Sequence, residues 1–404
     1  MWPFETVSGR KQKQFIIRHI LEPLIPETRL ESYLGFWARS VCRVRKPLII
    51  GITGSVGKST TTAMLAFVLS QQGAQQIVGT VGSTVENMND NWGLGATLLR
   101  FTSFLSIPWS YVGRITMFIQ LPFRALRLIA SRYPKVMVIE FGAGATSNFR
   151  RLIAMAPPDI SVVTMIGAAH LAVHNSLEGI IQEKGELVRA VKPTGLVILG
   201  DDHLHVSQLE QMARAPVVKV RGKGIELSRN ITRAVCQQFG IPAEVVESAL
   251  KNFINPPGRL NRLDLAGLTV IDDTWNANPM SMMLALDTLA EIAGPRQRRL
   301  AILGDMFELG DHAPHYHEDL GVYARNRAEV LIGVGELARL YSPDVWYDSV
   351  EDCAEGIEDL VRVDDCILVK GSHSARMWKA VGRLREIATK REGLTGRTGS
   401  AQPT

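Results

Sequence analysis

Lys58, Ser59 and Thr60 close a glycine-rich segment, Gly51-Ile-Thr-Gly54-Ser55-Val-Gly57-Lys58-Ser59-Thr60, between the apolar run 48–50 and the helix-like run 61–69. Strand, glycine loop and helix in that order make a phosphate cradle. Loop N–H groups converge on phosphate oxygens, and the helix N-terminus adds partial positive charge. Lys58 can reach the outer phosphates and the Ser59 hydroxyl can ligate Mg²⁺. The usual spacing puts a glycine at position 52, which is Ile here, with glycines at 51, 54 and 57 instead; the loop is a subtype of mononucleotide site. Glu140 ends the apolar run 136–140, where a carboxylate beside the loop suits Mg²⁺ but also suits a helix cap or ion pair. His170 and Lys184 lie 14 residues apart. Alone, the first reads as a structural histidine and the second as a surface lysine.

These residues need elements to position them. Apolar β-branched runs at 136–140, 160–164 and 195–199 alternate with helices at 149–155 and 176–191, the latter capped by Ser176. Such runs mean a parallel sheet buried on both faces. A hairpin at 262–265 and 268–272 is expected to close this domain. A second α/β pattern begins near Arg298, with strands at 299–303, 330–334 and 366–370. The predicted fold is α/β: a central mononucleotide-binding parallel-sheet domain over 47–295, with an apolar and basic insertion at 101–132, followed by a smaller Rossmann-like domain over 296–391. A hinge is expected near Gly294-Pro295. Residues 1–46 read as amphipathic helix broken near Pro23 and Pro26, and 392–404 as a disordered tail.

The 404 residues are 46% hydrophobic and 21% charged, a soluble globular profile of a length that suits two or three domains. Cys42, Cys236, Cys353 and Cys366 are scattered, which argues against a zinc ribbon or disulfide framework and fits a reducing cytoplasm. No signal peptide is read at the N-terminus. The pI near 9.0 is too modest to imply a nucleic-acid partner.

Taken together, Gly51–Thr60, Glu140-Phe-Gly, Ala169-His170-Leu171, Ser176-Leu-Glu178 and Glu183-Lys184-Gly-Glu186 resemble the central domain of the Mur ligases. Gly258-Arg259, the series Asp272-Asp273-Thr274-Trp275-Asn276-Ala277-Asn278-Pro279, Gly304-Asp305-Met306 with His317, and Lys370-Gly371-Ser372 extend the resemblance to about residues 47–390. The series is most similar to the D-alanyl-D-alanine-adding branch, whose asparagine-rich acceptor loop is matched by Asn87, Asn89 and Asn91. The resemblance implies an ATP-dependent ligase that joins a carboxylate to an amine through an acyl phosphate. It implies that Gly54, Ser55, Gly57, Lys58, Ser59 and Thr60 hold ATP phosphates, with Arg259 at the γ-phosphate. Asn276 and Asn278 would meet the adenine and Asp273 the ribose. Ser59 and Glu140 would hold one Mg²⁺, and His170 with a carbamylated Lys184 a second. Lys58, His170, Lys184 and Arg259 would be the catalytic set. Asp305, Lys370 and Ser372 would face the cleft from the C-terminal domain.

The departures concern the acid substrate. Ala172 stands where the family usually has Glu, Met165 and Gly200 where Asn is typical, Trp275 for Tyr and His373 for Arg. The family's UDP-holding first domain has no counterpart in residues 1–46. The expected partners are therefore small-molecule acid and amine substrates, with the acid not held through UDP. The alternatives are a ligase of the D-alanyl-D-alanine-adding type acting on a UDP-linked peptide, and a catalytically silent ATP-binding subunit. Retention of Lys58, Glu140, His170, Lys184 and Arg259 argues against silence. Residues 91–139 carry six Lys/Arg and no acid. Within them, 101–132 interleaves Phe, Trp, Leu and Met with Arg114, Arg124, Arg127 and Arg132. Arg114, Gly113 and Pro122 argue against a membrane span. The segment reads either as a helix packed on the central domain or as a surface for an anionic membrane face or a lipid-linked substrate.

Overall fold

A computed structural model of the chain describes residues 27–84, 88–101, 111–142, 149–167, 176–201 and 205–398. The first sheet is built from β1 (Leu48–Thr53), β2 (Val81–Ser83), β3 (Val136–Glu140), β4 (Ile160–Val163), β5 (Leu196–Gly200) and β6 (Val217–Val220). All its pairings are parallel, in the order β2-β3-β1-β4-β5-β6. Alternate residues of one strand serve opposite faces. Ile49, Met137 and Ile139 point to one core, and Ile50, Ile52, Val136 and Val138 to the other. This two-sided burial is why the strands read as unbroken apolar runs.

On the first face lie α1 (Glu27–Arg45), α4 (Asn91–Leu98), α5 (Tyr111–Ala130), α6 (Phe149–Met155), α7 (Leu177–Ala190) and α8 (Val206–Met212). On the second lie α2 (Lys58–Leu69), α3 (Gln72–Val78), α9 (Gly224–Gln238) and α10 (Ala243–Asn252). Every residue of α4 is buried, because α1 packs on α4, α5 and α6 together. The N-terminal helix is thus part of the first domain's core, through Leu30, Leu34, Ala38 and Val41.

The second sheet contains β7 (Asn261–Leu265), β8 (Leu268–Asp273), β9 (Arg299–Gly304), β10 (Val330–Val334), β11 (Val345–Tyr347) and β12 (Cys366–Lys370), in the order β11-β10-β9-β12-β8-β7. Its pairings are parallel apart from the antiparallel β7–β8 hairpin. Helices α11 (Pro279–Ile292) and α12 (Ala313–Arg325) cover one face, and α13 (Val350–Gly356) and α14 (Trp378–Thr398) the other.

Two expectations are corrected. The 262–272 hairpin closes the second sheet, not the first. β8 pairs with β12, and Ile271, Met282 and Leu286 share a core with Leu303. A boundary at 295 would cut that core, so the change of sheet falls between Asn252 and Asn261. The C-terminal helix also runs through Thr398, beyond the expected tail start at 392. Leu384 and Ile387, buried in the core of the second sheet, anchor it, and a formed helix extends at one hydrogen bond per residue.

Arg124 of α5 turns inward. Its Nε donates to Leu99 O at 2.6 Å and its Nη2 to Arg100 O at 2.5 Å, and its guanidinium lies 4.1 Å from the Phe101 ring centroid. The carbonyls left open at the end of α4 are thereby capped by a cation, which the helix dipole favours. Arg124→Ala should destabilise the protein by about 1–3 kcal/mol, measured as a lower urea midpoint with an unchanged m-value. Arg127→Ala, on the exposed face, should leave the midpoint in place.

Candidate active site

Three neighbouring strand ends build the site. Parallel register sets Ile52 beside Glu140 and Thr53 beside Val163, so the glycine loop leaves β1 between Glu140 and Thr164. Gly54 has φ 144°, and a Cβ there would stand 2.0 Å from Thr164 Oγ1; no other residue fits. Thr164 Oγ1 donates to Val56 O at 2.6 Å, and Ser55 N donates to Met165 O at 2.6 Å. Gly57, at φ 86°, turns the chain into α2 at Lys58. No side chain caps that helix, so its first N–H groups and its dipole are directed into the cleft.

The cleft is lined from both domains. Lys58, Ser59, Thr60, Asn89 and Glu140 come from the first, and Arg259, Asp273, Trp275, Asn276, Asn278 and Lys370 from the second and its approach. Glu140 is 2% exposed. Asn89 Nδ2 donates to its Oε1 at 2.7 Å, and its backbone N–H is held by Thr84 Oγ1 at 2.9 Å. Three cations feel this carboxylate. Burial lowers the Lys58 ammonium below its ordinary range, Glu140 opposes the shift, and Arg259 adds to it. Burial also lowers Arg259, against the pull of Glu140 and Asp273. Lys184, 1% exposed, is pushed down to about 7, by burial first and then by Lys58, with Glu183 and Glu140 pulling the other way. An excess of buried positive charge over one carboxylate suits a polyanion such as a nucleoside triphosphate.

The donor set fits Mg²⁺. Glu140 and the Ser59 hydroxyl are hard oxygen donors at the helix N-terminus, and this ion is characteristically held by one or two carboxylates together with phosphate oxygens and water. Among the described residues no cluster of three or more His, Cys, Asp or Glu side chains could hold a metal alone. His170 and Asn87 lie outside the described residues.

From the second domain, Lys370 and Asp273 are register partners on β12 and β8. Lys370 Nζ donates to Asp273 Oδ2 at 2.5 Å and to Asn276 O at 2.8 Å, and Leu260 N donates to Asp273 Oδ1 at 3.0 Å. Asn278 caps α11, accepting from Ser281 N at 2.9 Å while Ser281 Oγ accepts from Asn278 N at 3.0 Å. Asn276 Oδ1 accepts from Ala277 N at 2.9 Å.

Several expected roles change. Ser55 lines the cleft, but its N–H goes to Met165 O and its hydroxyl to Gly167 O at 2.9 Å, so both of its donors are used in bracing the loop. Asp305 does not line the cleft. Its Oδ1 accepts from Ala338 N at 2.8 Å, and burial raises its pKa. Ser372 accepts from Phe307 N at 2.9 Å, which fixes the loop after β9 and likewise keeps it out of the cleft lining. Asn91 heads α4 and opens onto a different cavity. Gly200 has no room for the family's Asn, since a Cβ would meet Thr164 O at 2.0 Å. The departures Trp275 and His373 are neighbours, with ring centroids 4.5 Å apart; Trp378 backs His373 at 4.9 Å, and Arg259 lies 5.5 Å from the Trp275 ring. Sequence reasoning missed Thr164, Ile225, Ser228, Asn255 and Leu284, which also line the cleft. Ser228 accepts from Thr61 Oγ1 at 2.9 Å, a long-range pairing of α9 with α2 that no local pattern signals.

The Lys184 shift sets a sign for stability. The folded pKa lies below the unfolded one, so between about pH 7 and the ordinary lysine range the unfolded chain binds the extra proton. Stability from this group therefore rises with pH across that window and is lowest below it. Lys184→Met should raise the urea midpoint of the ligand-free protein most at or below pH 7, with the gain shrinking toward pH 10.

Residues 52–104 and 118–261 match the Mur ligase middle domain, and residues 258–373 match the Mur ligase, glutamate ligase domain. UDP-N-acetylmuramoyl-tripeptide–D-alanyl-D-alanine ligase of Mycobacterium tuberculosis is 31% identical over 318 residues, 68% of this chain and 55% of that protein. The chain thus spans little more than half the length of that relative. The enzyme of the same name from Escherichia coli is 25% identical over 91% of this chain and 82% of its own. Among solved structures, the MurF ligase of Thermotoga maritima in complex with ADP superposes with a TM-score of 0.73 at 20% identity, covering 90% of this chain and 85% of that one. Escherichia coli FolC in complex with DHPP and ADP gives 0.61 at 15% identity, covering 94% and 96%. These two likenesses establish the fold.

Proposed function

The chain belongs to the Mur ligase family, and from that premise we propose that it is an ATP-dependent ligase forming an amide bond between a carboxylate substrate and an amino acid or small peptide amine. The observation that carries this reading is the cleft in which the glycine loop sets Lys58 and Ser59 beside Glu140, with Arg259 on the facing wall. In the proposed reaction the substrate carboxylate oxygen attacks the γ-phosphorus of ATP and ADP leaves. The amine then attacks the acyl phosphate, loses a proton and expels phosphate. Lys58 and Arg259 balance the charge on the transferring phosphoryl group, in a buried setting where each is worth more than in water. Ser59 and Glu140 would hold Mg²⁺, which would supply charge neutralisation at the phosphates.

Lys184 is proposed to work as a carbamate. Its amine, brought near neutrality by burial, attacks CO₂, forms an N–C bond and releases a proton. The product is an anionic oxygen donor suited to a second Mg²⁺ with His170. Asp273 keeps acceptor capacity beyond its two bonds, since a carboxylate offers about four lone-pair sites, and so can take a ribose hydroxyl. Asn276 and Asn278, at the cleft wall, are proposed to meet the adenine. Closure of the domains is assigned to the 253–260 segment where the sheets change. The acid is proposed to be held other than through UDP. Helix α1 lies ahead of the family match, which starts at residue 52, and it packs directly on the α4 that follows Asn89.

The test is phosphate release from ATP with paired candidate acids and amines, including a UDP-linked peptide with D-alanyl-D-alanine, and mass detection of the product. Lys58→Ala should lower ligation by ~10²-fold or more; substantial ligation by the folded variant would sink the assignment. Lys184→Ala should be similarly impaired and partly recover with added formate or acetate. Turnover restricted to the UDP-linked peptide would replace the UDP-independent reading.

An exposed helix face favours a second property, docking on an anionic bilayer. Phe118, Ile119, Phe123 and Leu126 of α5 are 41%, 57%, 71% and 57% exposed, on a stretch whose charges are all basic. Apolar residues flanked by arginine are what an interfacial helix presents to anionic lipid. No helix among the described residues is long and apolar enough to cross a membrane. Wild type should sediment with phosphatidylglycerol vesicles and not with phosphatidylcholine. Phe123→Ser/Arg127→Glu should reduce binding at least ~10-fold, as each apolar and basic contact contributes about a kcal/mol or more. Equal sedimentation of both proteins would remove the surface from consideration.

A further inference from the structure

Asn89 is held in place by its neighbours on both sides. Met88 is fully buried, and the chain turns so tightly there that a Cβ on Gly93 would stand 2.3 Å from Met88 Cα. Asp90 caps α4, its Oδ1 accepting from Gly93 N at 2.7 Å and its carbonyl from Leu94 N at 2.8 Å. Asn89 thus lies between a core residue and a helix cap. Its own carbonyl accepts from Gly142 N at 2.9 Å, two residues past Glu140. A Cβ on Gly142 would lie 2.7 Å from both Cγ and Oδ1 of Asn89, so the amide packs where any larger residue would intrude. The side chain is fixed by contact as well as by its hydrogen bond.

That bond is the 2.7 Å donation from Nδ2 to Glu140 Oε1. The amide has to face this way, because Oδ1 turned toward a carboxylate would oppose two acceptors. A hydrogen bond to a charged acceptor is also the stronger kind. Oε1 is thereby engaged, while Oε2 accepts no hydrogen bond among the described residues. Glu140 lines the cleft together with Ser59, so it brings one committed oxygen and one open oxygen to the cation site. This asymmetry bears on which cation the carboxylate suits. Ca²⁺ takes about six to eight oxygens in flexible geometry and readily uses both oxygens of one carboxylate, whereas Mg²⁺ is smaller and demands near-octahedral ligands. A carboxylate with one oxygen tied to a fixed amide disfavours the two-oxygen grip.

We propose that Asn89 is a positioning residue for the metal site: its amide restricts Glu140 to a single-oxygen ligand and so selects Mg²⁺ over Ca²⁺. The inference rests on the ligase reading, which takes Glu140 as an oxygen ligand of the metal. It gives a task at the carboxylate to a residue that the resemblance placed in a substrate loop. Gly142 belongs to the same device, because its missing Cβ is what admits the amide.

The test is calorimetric titration of AMPPNP into the full chain with either Mg²⁺ or Ca²⁺ in excess, so that no turnover is involved. Wild type should bind the nucleotide more tightly with Mg²⁺. Asn89→Leu keeps the shape of the side chain and removes the donor. It should lower the ratio of Mg²⁺-supported to Ca²⁺-supported affinity at least ~5-fold. Asn89→Ala serves if the leucine variant fails to fold. Gly142→Ala, which displaces the amide without removing it, should move the ratio the same way. A residue that only shapes the loop would weaken binding equally with both ions. An unchanged ratio in the folded variants, or no preference for Mg²⁺ in wild type, overturns the inference and leaves the ligase reading standing. Wild type that binds AMPPNP with neither ion defeats the ligase reading, and the inference with it.

Discussion

The buried carboxylate of Glu140 is the counter-charge that Lys58 and Arg259 share in the cleft, and the buried Lys184 ammonium feels it too. Lys58, Lys184 and Arg259 all suffer burial, and in each case the charge that counteracts it includes Glu140. A buried cation without such a partner loses its proton or its place. The architecture around Glu140 follows from this. It ends β3 in register with Ile52 of β1, its amide is tied to Thr84 and one oxygen to Asn89. The residual positive charge is what suits the site to a polyphosphate in the proposed reading. For Lys184 the nearby Lys58 adds to the effect of burial, and Glu183 and Glu140 pull the other way.

Much of this was legible in the chain. Phosphate loops and parallel strands have local signatures, because a glycine at φ 144° and a strand buried on both faces each demand particular residues in sequence. The expected strands at 136–140, 330–334 and 366–370 appear with those limits, and the α7 cap at Ser176 is present. What was not legible is decided at long range. The 262–272 hairpin has the same local pattern whichever sheet it joins; β12, nearly a hundred residues later, recruits it. Asp305 and Ser372 sit at strand ends, where ligands usually bind. Their polar atoms are consumed by the loops they stabilise, with Ala338 and Phe307 as partners. A strand-end position shows where a side chain begins and leaves open which donor reaches it first.

The departures from the family pattern sort by the same logic. Trp275 and His373 are two changes in sequence and one contact in space. They form an aromatic wall with Trp378 beside Arg259. Gly200 is fixed by the backbone of Thr164 and is therefore a packing solution. Thr164 and Met165 hold the loop through main-chain oxygens and one hydroxyl, a task that leaves the Met165 side chain open to variation.

Helix α1 carries the argument one step further. Its apolar stripe, Leu30, Leu34, Ala38 and Val41, is buried against α4 and the helices beside it, so it is anchored as firmly as any core element. Its other sides present Phe36, Arg39 and Arg43. Because α1 packs on α4, and α4 follows the Asn89 segment whose amide holds Glu140, the helix ahead of β1 supports that carboxylate from behind. In the proposed ligase reading the strand ends carry the chemistry, and α1 steadies the segment that positions Glu140.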